Sequence, residues 1–267
     1  MTKFLIAITF GCLLFFQKTS GQNIKPQFAA NERLTLKVSY NLGIIKIPAG
    51  ELIFRSSLQP YNNRQVAYFE VIRNSYSAYD HIYKVRDQLK SYSEPDKLLP
   101  LWFEKQMDQN GQVSLERYVI NHDRKQIYSF NSNMSESKFD TITFKNIFFD
   151  FITLAYYIRQ LNFNSFKIGD KLPMNVICEN KFYPINIIYM GIETISLLEK
   201  GNFRCLKLNI SVISGSIFNE GETITAWVTN DENRLPIQME AKILIGSVRA
   251  VLIKAENTRK PLMAKLK

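Results

Sequence analysis

The chain has 267 residues, of which 46% are hydrophobic, 13% aromatic and 22% charged. That composition belongs to a folded globular protein long enough to bury a sizeable core, and it excludes a disordered chain, a collagen-like repeat and a small disulfide-stapled scaffold. Lysine and arginine number 34 against 24 acidic residues, a formal net charge of +10, scattered along the chain without a long run of like charges.

The first segment reads as an address. Lys3 precedes an uncharged apolar run, Phe4 to Phe16, and a polar stretch Gln17-Lys18-Thr19-Ser20-Gly21 follows. This three-part layout predicts a cleavable secretory signal peptide over residues 1–21, cut before Gln22. The run is shorter than the roughly 20 apolar residues a transmembrane helix needs. Cys12 sits inside it, which is not the place of a lipid-attachment cysteine. No other stretch approaches spanning length, so no transmembrane segment is expected after cleavage. Export would remove Lys3 and Lys18. It would also turn the remaining basic charge away from nucleic acid and toward anionic envelope surfaces.

The body reads as strands. In residues 32–40, Leu34, Leu36, Val38 and Tyr40 fall on one face and Arg33, Thr35, Lys37 and Ser39 on the other, the period of a half-buried strand. Segments near 50–58, 65–75, 82–92, 99–109, 113–121, 126–131, 172–179, 182–191, 203–213, 222–229, 236–245 and 248–256 read similarly, separated by turn residues. Asn110-Gly111 is a strong hairpin dipeptide because both residues accept positive φ, and folding there sets Lys105 opposite Glu116 and Glu104 opposite Arg117. A two-residue turn at Gly246-Ser247 would set Ile245 against Val248, Ile243 against Ala250 and Ala241 against Leu252.

One segment breaks the alternation. Residues 148–161 lack Gly and Pro, and Phe151, Leu154, Ala155, Ile158 and Leu161 recur at helical spacing, widened by Phe148, Phe149, Tyr156 and Tyr157. This predicts one helix packed on the sheet. The stripe is either ordinary core or the lining of a lipophilic pocket; in the second reading Phe148, Phe151, Tyr156, Tyr157 and Trp227 are the pocket candidates.

Together these elements predict a mostly-β fold: a single antiparallel domain over residues 22–258, barrel-like or half-barrel because so many strands must curl, with a frayed tail over 259–267.

The search for chemistry is mostly negative. His81 and His122 have no metal-ligand spacing around them, and no metal or cofactor is expected. Alternation puts Cys178 on an apolar face and Cys205 on a polar one, which disfavours a disulfide. Nucleophile-elbow, phosphate-loop and dinucleotide motifs are missing, so no catalytic residue is assigned and an enzyme is not expected. Asp140-Thr141-Ile142 fits a short pattern that some Gram-negative bacteria O-glycosylate on exported proteins. The most suggestive polar cluster is Asp80 to Gln88. There Lys84 and Arg86 share one strand face and Asp87 lies on the apolar one, where a carboxylate needs a partner such as Arg159 or Arg73. Lys84, Arg86, Asp87 and Arg159 are therefore the candidate polar site, as a core ion pair or a ligand anchor.

These residues also carry a resemblance. The run Glu32 to Tyr40 with Ala49-Gly50-Glu51, then Tyr83-Lys84-Val85-Arg86-Asp87, Asn121-His122-Asp123, Tyr156-Tyr157-Ile158-Arg159, Gly201 to Lys207 and Trp227 to Pro236 stand in an order that resembles the exported bacterial family of the domain of unknown function 3108. Leu36 and Thr153 depart from residues common in that family. The resemblance implies a signal peptide, a periplasmic or outer-envelope location and a mostly-β fold, with no established activity. The functional expectation is a non-enzymatic β protein that binds a lipid, another amphiphile or an envelope partner protein, and no nucleic acid. The alternatives are a structural or assembly-assisting envelope protein with a filled core and, least supported, an unfamiliar hydrolase.

Overall fold

The computed structural model describes residues 28–197, 200–211, 223–243 and 246–266; the expected signal peptide lies outside them. The elements in chain order are β1 (Glu32–Leu42), β2 (Ile45–Tyr61), β3 (Arg64–Ser75), α1 (Asp80–Tyr83), β4 (Val85–Ser93), β5 (Pro100–Gln109), β6 (Gln112–Asn121), β7 (Gln126–Ser132), β8 (Ser137–Thr143), α2 (Phe151–Ile158), β9 (Lys171–Cys178), β10 (Lys181–Leu197), β11 (Gly201–Ser211), β12 (Thr223–Thr229), β13 (Pro236–Lys242) and β14 (Ser247–Glu256).

The strands make one antiparallel sheet in the order β8-β7-β6-β5-β4-β3-β2-β1-β14-β13-β12-β11-β10-β9. It is two meanders, β1–β8 and β9–β14, joined where β1 pairs with β14. The edge strands β8 and β9 do not pair with each other, so the sheet is barrel-like and open. A twisted sheet this wide has to coil, which gives it a concave face. The chain crosses from β8 to β9 through α2, which packs against β3, β4 and β9.

Side chains and turns fasten the opening. In the β9–β10 turn the Glu179 N–H donates to Glu116 Oε1 at 2.6 Å, the Asn180 N–H donates to the Tyr118 hydroxyl at 2.9 Å, and Asn131 Nδ2 donates to Asn180 Oδ1 at 2.9 Å. Glu179 and Asn180 both have positive φ, the geometry of a tight hairpin turn. Glu116 is held in turn by Lys105 and by the Tyr118 hydroxyl. On the other side of the opening Phe149 bridges to Val176 of β9.

Three buried clusters form the core. One gathers Phe69, Phe103, Tyr118, Phe148 and Tyr156; a second Phe149, Leu154, Ile158, Ile187 and Leu208; a third Leu34, Leu36, Trp227, Ile237 and Leu252. None of the described helices is long and apolar enough to cross a membrane.

The Asn110-Gly111 hairpin has the expected register, Lys105 opposite Glu116 and Glu104 opposite Arg117. The C-terminal hairpin does not. Ala241 meets Val248 and Lys242 meets Ser247, so the loop is longer than a two-residue turn. Ala241 meets a residue four positions short of Leu252, an even displacement, so the faces keep their assignment. Residues 80–83 form the short helix α1, so His81 stands on a helical turn and β4 starts only at Val85. The expected helix 148–161 is shorter, Phe151–Ile158, because Phe149 is drawn into extended pairing with β9. Its buried face is Ile152, Thr153, Leu154, Tyr156 and Ile158, while Phe151 is 41% exposed. Strand β8, which carries Thr141, has no counterpart in the alternation reading: nearly all its residues are exposed, so no apolar period marks it.

The tail is not frayed. The Arg204 N–H donates to Ala264 O at 2.8 Å, the Leu266 N–H to Asn202 O at 2.8 Å, and Asn233 Nδ2 to Lys260 O at 2.8 Å. β12 leaves the first residues of β11 without a partner on that side, and residues 264–266 occupy the vacancy.

Candidate functional site

The site is built around α2. Asp150 caps its N-terminus: Oδ1 accepts from the Ile152 and Thr153 N–H groups at 2.8 and 2.9 Å, while Thr153 Oγ1 accepts from the Asp150 N–H at 3.1 Å. This reciprocal box satisfies amides that no helical carbonyl can reach. The Ser91 hydroxyl of β4 donates to Asp150 Oδ2 at 2.7 Å, which anchors the cap to the sheet. Burial pushes the Asp150 carboxyl up, against the pull of these hydrogen bonds.

The other end of α2 is held by Arg159. Its guanidinium donates to both carboxylate oxygens of Glu32, at 2.7 and 2.9 Å, and to Asn233 O at 3.2 and 3.0 Å. The Tyr156 ring lies 5.1 Å from it. The charge is therefore matched on every side, as a buried arginine requires.

Between α2 and the concave face of the sheet is a cavity of about 80 Å³. Ala155, Tyr156, Ile158 and Arg159 line it from the helix, and Phe54, Leu208, Ala226 and Met239 are among the residues lining it from the sheet. Two of its lining residues, Ala155 from the helix and Ala226 from the sheet, are small. It is smaller than the ~150 Å³ cavity that holds benzene, so its volume is too small for a ring system of that size.

Of the pocket candidates only Tyr156 lines this cavity. Phe148 is buried in the first cluster against Phe144 and Phe182, and Tyr157 packs on Phe149. Phe151 projects outward. Trp227 belongs to the third cluster; its indole N–H donates to Glu193 Oε2 at 2.9 Å and the Lys207 ammonium lies 5.5 Å from its ring. Helical spacing alone did not fix which way α2 turns, because aromatic residues occur on all its sides.

The four polar candidates separate into four ion pairs. Asp87 is buried and pairs with Arg73, whose Nε donates at 2.8 Å, and it accepts from Gln109 Nε2 at 3.0 Å. Arg86 pairs with Asp80 at 2.6 Å and Lys84 with Asp108 at 3.2 Å. Arg159 is engaged elsewhere, with Glu32. Sequence reasoning missed Glu32, although a carboxylate opening an apolar strand was a signal that could have been used.

Other groups are quiet. His122 Nε2 lies 2.8 Å from Pro100 O, and no group of three or more metal-ligating side chains exists among the described residues. Both described cysteines are free, and burial pushes the Cys178 thiol to about 11 and the Cys205 thiol to about 12. Cys205 is buried in the third cluster rather than on a polar face.

The fold and the site define an open, barrel-like antiparallel β protein wrapped round one capped helix. The chain belongs to the family described as protein of unknown function (DUF3108), whose family model matches residues 35–253. No curated protein matches it. A crystal structure described as a beta-barrel-like protein of domain of unknown function DUF1849 from Brucella abortus is similar, with a TM-score of 0.53 at 9% identity over 86% of this chain and 98% of that one. At that identity the likeness is one of fold.

Proposed function

We propose that this is an exported protein of the periplasm or outer-membrane periphery that binds the apolar part of a lipid or other amphiphile without catalysis. The observation that carries the reading is the apolar cavity between α2 and the sheet, beside a helix fixed at both ends by Asp150 and Arg159. A preformed apolar hollow on rigid elements is the common build of a small-ligand site. The arrangement inside speaks for binding rather than reaction, since buried Arg159 and Asp87 are each matched by an opposite charge, Asp150 is taken up in capping the helix, and the thiols are held protonated. Export is supported by the signal-peptide pattern of residues 1–21.

The experiment is native mass spectrometry with lipid extraction on protein purified from its own envelope, wild type beside Ala226→Leu. Stoichiometric lipid on the wild type and its loss from the variant is the expected result, because the added carbons fill the cavity. Wild-type protein recovered clean would favour the second reading, a structural or assembly-assisting protein, for which the three packed core clusters speak.

A further inference from the structure

On the face of the sheet toward α2, cross-strand partners form rows. Gly50, Val38, Ala250, Met239, Ala226 and Leu208 make one row across β2, β1, β14, β13, β12 and β11, and its last three residues line the cavity. One step toward the β1–β2 turn, the next row on that face is Ile47, Tyr40, Val248, Ala241, Ile224 and Ile210. It is apolar apart from the Tyr40 hydroxyl, and none of it is fully buried. Beyond it the β1–β2 tip carries Leu42, Ile44 and Ile45, which are 43%, 98% and 56% exposed. Hairpin tips usually hold Asn, Asp or Gly, and contiguous exposed aliphatic residues mark a contact surface.

The opposite face of the same end carries two lysines at its tip, with Glu240 one row in and paired with Arg249. Lys46, Asn41, Ser247 and Lys242 are cross-strand partners in one row, and both lysines are exposed. No acidic residue stands among residues 39–48, 241–243 or 246–248. The connections β3–β4, β5–β6 and β7–β8 emerge at this end too, and they add exposed Ile82, Val113 and Met134; their acidic residues Asp80 and Asp108 are neutralised by Arg86 and Lys84, which leaves exposed Glu136.

We propose that this end of the sheet docks on an anionic lipid bilayer. Leu42, Ile44 and Ile45 enter the interfacial layer, Lys46 and Lys242 meet the phosphate headgroups, and the Ile47–Ile210 row forms an apolar track from the bilayer to the cavity. An apolar tip backed by lysines is the amphipathic layout of interfacial anchors, with the ammonium groups snorkelling to the headgroup level. Charge selects the bilayer over a second copy of the chain, because a two-fold contact through this end would bring its lysines into one another's field. The inference goes beyond ligand binding and does not require it.

The test is vesicle flotation of the chain from Gln22 onward, which keeps every described residue and drops the apolar run Phe4–Phe16. Vesicles are phosphatidylcholine alone or with phosphatidylglycerol. Flotation with the anionic vesicles only is expected, with at least about a tenfold loss for Ile44→Asp with Ile45→Asp, and about fivefold for each of Lys46→Ala and Lys242→Ala. A polarity-sensitive dye on Ile44→Cys should shift to the blue on anionic vesicles. Ala226→Leu should float as the wild type does even if it loses lipid in the mass spectrometer, which separates this inference from lipid binding in the cavity. Wild-type protein that stays unbound, equal flotation on neutral vesicles, or undiminished flotation of the double aspartate variant overturns the proposal.

Discussion

Arg159, at the end of α2, and Glu32, the first residue of β1, form a two-pronged ion pair across 127 residues of sequence, with both side chains buried. The same guanidinium holds the Asn233 carbonyl, so helix, first strand and β12–β13 loop meet at one group. Removing one partner leaves an uncompensated buried charge. Arg159→Met and Glu32→Gln are each expected to destabilise the protein by about 3–5 kcal/mol in urea denaturation, with the double variant well short of their sum. Arg159→Lys should not rescue, since an ammonium cannot make the paired contacts. Additive losses would contradict the pairing.

The capping aspartate sets a second expectation. Asp150→Ala strips the Ile152 and Thr153 amides and the Ser91 hydroxyl of a buried acceptor, a cost of about 3 kcal/mol. Asp150→Asn keeps the cap and should lose much less. The pH dependence has its own sign: the folded carboxyl is raised above its ordinary value of 3.8 by burial, so its contribution to stability falls as pH rises through and above that value. Asp150→Asn should remove that component from a plot of stability against pH.

Glu193 titrates the other way. Hydrogen bonds from Trp227 and Lys207 hold its carboxyl below the ordinary 4.5, so what it adds to stability is present above 4.5 and is lost as pH falls through its depressed value. The indole N–H is the reporter. Trp227 fluorescence should change with a midpoint below 4.5, and Glu193→Gln should abolish that step; a midpoint at or above 4.5 would contradict the contact.

The cysteines should be inert and unpaired. Cys178 lies opposite Lys181 near one end of β10, and Cys205 lies opposite Glu193 near the other, about 40 Å along the strand at ~3.3 Å per residue. That separation excludes a disulfide in the folded state. With thiols at about 11 and about 12, the native chain should react very slowly with a thiol reagent at pH 8, and reactivity should appear on unfolding. Fast native labelling of either would overturn this.

Local rules reach as far as neighbours in sequence. The alternation in Glu32–Tyr40, the Asn110-Gly111 turn and the Lys105–Glu116 pairing were all legible because period and turn chemistry are set within a few residues. The antiparallel, barrel-like class followed from the number of strands, and the family from the order of short motifs. What lay beyond was decided by contacts between distant segments. Edge strand β8 shows no apolar period because water covers it on nearly every side, and the tail is ordered only because β11 offers an unpaired edge. The partner of Arg159 is Glu32 rather than Asp87 because the sheet's coil brings β1 under the end of α2. The cavity, too, exists only where Ala155 and Ala226 come to line the same space, and nothing in the neighbourhood of either alanine in sequence records the other.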